Sequence, residues 1–166
     1  MLHTARLGVV AALLVIVMAV PAWAQPEVSP PEPVDVDDVL DDLWCGFGVG
    51  VHIEGKGGGI FFDDRAIITA PGLEADLTNL DTGKMVSLKI QGSFHDTVLD
   101  DDGNVRTVNV GRNLLFGYFD GVPGLFLTIG KVVTDWNIND LPENIFDVIE
   151  SESPGKMVDV CAMLSG

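Results

Sequence analysis

Apolar and polar residues alternate along much of this chain. Phe47, Val49, Val51 and Ile53 are interleaved with Gly48, Gly50, His52 and Glu54. Val86, Leu88 and Ile90 alternate with Ser87, Lys89 and Gln91, and Leu125, Leu127 and Ile129 with Phe126, Thr128 and Gly130. A period of two puts alternate side chains on one side of an extended segment, so each run predicts a strand with one buried face. Further strands are expected near 59–62, 66–70, 73–80, 93–99, 105–110, 131–136 and 157–161. The punctuation agrees. Asp81-Thr82-Gly83 and Asp101-Asp102-Gly103 suit turns closed by a left-handed glycine, and Pro71-Gly72 suits a type II turn. Gly55 to Gly59 reads as a loose hairpin connection. Turns every 8 to 12 residues without a long helical period predict an all-β domain. We expect an antiparallel β-barrel or β-sandwich of about 8–10 short strands with one or two short helices.

Two segments break the alternation. Val36, Val39, Leu40, Leu43 and Trp44 fall on a helical stripe. Yet Asp38 and Asp42 repel one another at i, i+4 in a helix, so a strand-like lead-in is the alternative. Asp140 and Glu143 form a capping-box pair with Pro142 in the first turn, which marks a second helix candidate against an irregular loop.

The ends of the chain set its organisation. His3 and Arg6 precede an unbroken small or apolar run, Gly8 to Val20. Pro21 and Ala22-Trp23-Ala24 follow it, the pattern of a cleaved export signal. The run is too short for a bilayer span of roughly 20 residues. Residues 1–24 are therefore expected to be a signal peptide, 25–42 a Pro- and acid-rich extended leader, and 43–166 the β domain. The expected product is secreted, soluble and without a membrane anchor.

Charge narrows the partners. The 166 residues hold 25 acids against 9 Lys plus Arg, a formal net charge of −16. Loss of Arg6 with the signal would take it to −17. Each phosphate contact would add repulsion, so nucleic acid is excluded as a partner class. A cationic partner or a small ligand remains.

Cys45 opens the patterned region and Cys161 nearly closes the chain. In an oxidising compartment their pairing would tie the first strand to the last. So long a loop is worth about 4–5 kcal/mol in the chain-entropy picture. A whole domain has only about 5–15 kcal/mol to lose.

Catalytic signals are weak. His52 and His95 do not stand at metal-ligand spacing, so no metal site and no cofactor is expected. Ser93 and His95 share a strand face, but no oxyanion hole accompanies them. Asp100, Asp102 and Asn104 offer alternating oxygens without the frame of a calcium loop, and read as an acidic hairpin tip. Gly111-Arg112-Asn113-Leu114-Leu115-Phe116-Gly117 mixes a cation, an amide and an apolar run. Read structurally it is an irregular strand or bulge; read functionally it is a pocket rim, with Arg112, Asn113 and Tyr118, together with His95, as ligand contacts.

Short pieces of the chain carry a resemblance. They are Cys45-Gly46-Phe47 to Glu54-Gly55, Leu77-Thr78-Asn79 to Gly83, Gly92-Ser93 to Thr97, Gly111 to Leu115, Ile129 to Val133, and Val158 to Ala162. In these the chain resembles small secreted actinobacterial all-β proteins of uncharacterised function. The resemblance implies fold and export, and it transfers no catalytic residue. Three roles follow as expectations. The first is a non-enzymatic extracellular binding or interaction domain. The second is a carrier of a small apolar ligand in a barrel cavity. The third is an extracellular hydrolase, which would need His95, His52 or Arg112 to meet acids in one cleft.

Overall fold

The computed structural model describes residues 25–119, 122–137, 147–148 and 155–166. The signal segment and the Asp140–Glu143 helix candidate lie outside the described residues. What is described is an all-β fold, a curled half-barrel sheet with two short helices. The strands are β1 (Glu27–Leu40), β2 (Val49–Phe61), β3 (Arg65–Thr69), β4 (Glu74–Asn79) and β5 (Met85–Lys89). They continue as β6 (Gly92–Val98), β7 (Asn104–Phe119), β8 (Val122–Asn137), β9 (Asp147–Val148) and β10 (Lys156–Asp159). The sheet order is β10-β8-β7-β6-β3-β2-β4-β5, with β1 on the other side of β2 and β9 beside β7. All pairings are antiparallel except the two-residue β7–β9 contact.

Several strands are longer than the alternation suggests. The expected hairpin at Gly55–Gly59 is the middle of β2, and β7 and β8 each run 16 residues. Glycine explains both departures. Gly111 and Gly130 stand directly opposite each other, both at φ +91°, so the β7–β8 ribbon bends there without breaking. Gly58 passes under the backbone of Ser29, Pro30 and Pro31, where any Cβ would collide. The glycine run is thus the bed for β1.

The leader is extended as expected, yet it is a paired strand. Val34 to Leu40 match Gly55 to Val49 residue by residue, after a register shift between Ser29 and Glu32. The helical stripe gives way to strand up to Leu40, and only α1 (Asp42–Cys45) is helical. Asp41 caps it by accepting the Leu43 N–H, and Gly46 ends it in the left-handed region. At the other terminus the expected strand 157–161 stops at Asp159. Its carboxylate accepts the Ala162 N–H at 2.9 Å and starts α2 (Val160–Ser165). Cys45 and Cys161 are bonded, with Cα atoms 5.1 Å apart. The clasp therefore joins two short helices, not the first strand to the last.

The core sits where α2 plugs the curl. Val160 and Leu164 are fully buried against Val49, Leu77 and Leu125, with Ala75, Leu88 and Leu127 around them. Asn79, itself buried, stitches the plug to the sheet. Its Nδ2 donates to the Leu164 carbonyl, and its Oδ1 accepts from Asp81 and Thr82 N–H.

Candidate binding site

Strand parity sorts each side chain to one face. On β2 the odd residues Val49, Val51 and Ile53 point inward, opposite Leu40, Asp38 and Val36 of β1. Beside the α2 plug, this inner face opens as an apolar cleft of about 220 Å³, and Leu125 belongs to both. Val36, Asp38 and Leu40 form one wall; Leu114, Phe116 and Leu125 of the β7–β8 ribbon stand among the other lining residues. Its lining is apolar apart from Asp38 and Asn113.

Asn113 is 1% exposed. Its Nδ2 donates to the Val110 carbonyl at 3.3 Å, which fixes the orientation of the amide. Its Oδ1 has no hydrogen-bond partner among the described residues. Gly92 is required beside it, because a Cβ there would run into the Asn113 amide. On the same face, Asn109 stands opposite Phe94, another lining residue, and neither of its amide atoms is paired among the described residues. The next row holds Thr107, which donates to Asp96 at 2.5 Å and accepts from the Trp136 indole at 2.9 Å. Burial pushes the Asp96 carboxyl up, against the opposing effects of the Thr107 bond and His95.

The outer face carries the charge. His52 and Asp37 are cross-strand partners, 2.9 Å from Nδ1 to the carboxylate. Asp35 lies 4.0 Å from the same nitrogen and Glu54 3.9 Å from Nε2. Asp76 is the partner of His52 on β4. The Asp37 hydrogen bond leads in raising the His52 pKa, with the charges of Asp37, Asp35 and Glu54 adding and desolvation opposing. The ligating atoms of Asp35, Asp37 and His52 lie within 4.8 Å of one another, in solvent-facing positions. A wide basin of about 410 Å³ opens over His52, Asp76, Thr78 and Met85.

The four anticipated contact residues are dispersed. Asn113 lines the cleft. Arg112 turns away and donates Nε to the Lys89 carbonyl at 2.8 Å. Tyr118 stacks edge-on against Trp44, centroids 5.8 Å apart, as does Phe116 at 5.3 Å. His95 meets Ser93 Oγ at 3.1 Å. Asp96 is next in sequence but on the opposite face, bonded to Thr107, so it does not orient that imidazole. At the acidic hairpin tip, Asp100 accepts from the Asp102 and Asn104 N–H groups and from Asn104 Nδ2. Its oxygens close the turn, and these bonds, Asn104 first, hold its carboxyl below the usual range.

No protein family, curated protein or solved structure matches the chain. Sequence reasoning reached Asn113 through its odd setting between Arg112 and an apolar run. It missed Val36, Asp38 and Leu40 as a cleft wall, and it missed the Asp35–Asp37–His52 group. The alternation of Val34, Val36, Asp38 and Leu40 with Asp35, Asp37 and Val39 was the available signal.

Proposed function

We propose that this protein is an exported, non-enzymatic interaction domain that holds part of a partner in the cleft between β1 and the β7–β8 ribbon. One observation carries the reading: an open apolar cleft contains a buried acceptor, Asn113 Oδ1, that has no hydrogen-bond partner among the described residues. A buried polar atom left unpaired costs about 1–3 kcal/mol. An incoming donor would recover that loss. Export is supported by the Gly8–Ala24 pattern and by a disulfide of the kind that persists outside the reducing cytoplasm.

The cleft size favours a partner's side chain over a carried ligand. Pockets for free small molecules run from roughly 300 Å³ upward, and this one is about 220 Å³. The α2 plug occupies the interior that a carrier would need hollow. A hydrolase draws no support from the placement of His52, His95 and Arg112, which stand in three separate neighbourhoods.

The test is an NMR titration of the oxidised protein with butylammonium, an apolar chain bearing N–H donors. Shifts are expected at Val51, Ile53, Asn113, Leu114 and Phe116, and Val51→Trp should remove them while the circular dichroism spectrum stays unchanged. Absence of shifts at millimolar probe would overturn the cleft reading. Mass spectrometry of the culture medium should find a product beginning at Gln25.

A further inference from the structure

The cleft runs along a strand, β1, that is paired on one side only among the described residues, with β2. Backbone N–H and C=O groups on its other side are therefore available to a further strand. The two halves of this edge differ. Pro30, Pro31 and Pro33, with the register shift after Ser29, deny a regular ladder to the first half. Val34–Leu40 has no proline and keeps an unbroken register. Its inward residues Val36, Asp38 and Leu40 form the cleft wall, and Asp35 and Asp37 face outward beside His52.

An added strand would be read on both faces. Residues pointing inward would meet Val36, Asp38, Leu40 and the cleft, whereas those pointing outward would meet the carboxylates of Asp35 and Asp37. Resting on the cleft reading above, we infer that the partner is a cationic extended segment that adds as a strand along Val34–Leu40. Its apolar residues enter the cleft, and Lys or Arg at the alternate positions face Asp35 and Asp37. A hydroxyl or ammonium donor on an inward residue would satisfy Asn113 Oδ1. The Val39 N–H, now accepted by the Asp38 carboxylate at 2.8 Å, is the contact such a strand would replace.

Charge selects this occupant over a second copy of the chain. Edge-to-edge pairing of two β1 strands would set Asp35, Asp37 and Asp38 against their own kind on molecules of net charge −16. Like charges opposed across a ladder destabilise it. The same acids that close the edge to itself leave it open to a basic strand.

The probe is fluorescently labelled acetyl-Lys-Val-Lys-Val-Lys-Val-Lys-amide, followed by anisotropy with the oxidised protein. Saturable binding that weakens with salt is expected, and the Glu-Val repeat should not bind. N-methylation of alternate peptide nitrogens on the pairing edge, which leaves every charge in place, should weaken binding about tenfold or more, because the main-chain bonds carry it. The pair Asp35→Lys and Asp37→Lys should weaken it by a similar factor of about ten. Equal binding of the N-methylated peptide would mean a diffuse charge effect and overturn the inference. Full binding to the lysine pair would do so as well. Response to butylammonium without response to the peptide overturns strand addition and leaves the cleft reading standing. Silence toward both overturns both.

Discussion

At the clasped end, α1 and α2 are joined by Cys45–Cys161, and Val160 and Leu164 are fully buried in one cluster with residues of β2, β4, β5 and β8. Along β1 no residue is fully buried, and Val28 and Val39 are 63% and 61% exposed. Both regions belong to one sheet and share β2. They differ in what happens to the inward side chains of that strand. Val49 meets the α2 plug, whereas Val51 and Ile53 face the cleft. The buried side chains are thus concentrated at one end of the sheet, and the β1 edge at the other is exposed.

The sharpest way to break this comparison is to open the clasp. Replacing both Cys45 and Cys161 by Ala should cost about 3–5 kcal/mol in chemical denaturation, given the 116-residue separation. Hydrogen exchange along β1 should change far less than in α2. A loss below about 1 kcal/mol would show that the clasp is not where stability resides. Leu164→Ala removes the centre of the plug, and a loss of about 3 kcal/mol is expected. Asn79→Ala deletes the bond to the Leu164 carbonyl and the two turn bonds, which should cost about 2 kcal/mol. Both can be read from urea midpoints.

The smallest effect belongs to the open edge. The folded His52 pKa lies above its ordinary value of 6.5, chiefly through the Asp37 bond. Its contribution is complete below the unfolded pKa and fades as pH rises through the folded one. Amide exchange of β1, after correction for intrinsic rates, should accelerate across that window while α2 stays protected. Asp37→Asn should move the His52 titration back toward 6.5, as followed by the ring proton shift. An unmoved titration would dissociate His52 from Asp37.

Much of the sheet was legible in the chain. Alternation located β2, β5 and β8, the expected strand 73–80 covers β4, and the glycines of Asp81-Thr82-Gly83 and Asp101-Asp102-Gly103 take the left-handed conformation their turns require. Less was legible where one local pattern served two structures. The stripe from Val36 to Trp44 fits a helix as well as a strand, and the free partner β2 decided for strand up to Leu40. Gly55–Gly59 looks like a connection because glycine weakens strands, yet here it admits the backbone of Pro30 and Pro31. Asn113 could be singled out as unusual, but its unpaired Oδ1 depends on Gly92 and Val110.

The amino-acid sequence by itself determined the extended character of most of the chain, the turns at Gly72, Gly83 and Gly103 and the acidic balance, because side-chain parity, left-handed glycines and formal charge are local properties. Only the tertiary structure decided which strands became neighbours. That choice brought Asp35 and Asp37 to His52, gathered Val36, Leu40 and Phe116 around one cleft, and, among the described residues, paired β1 with β2 alone. Such groupings join residues distant along the chain, and pairing register, not composition, places them.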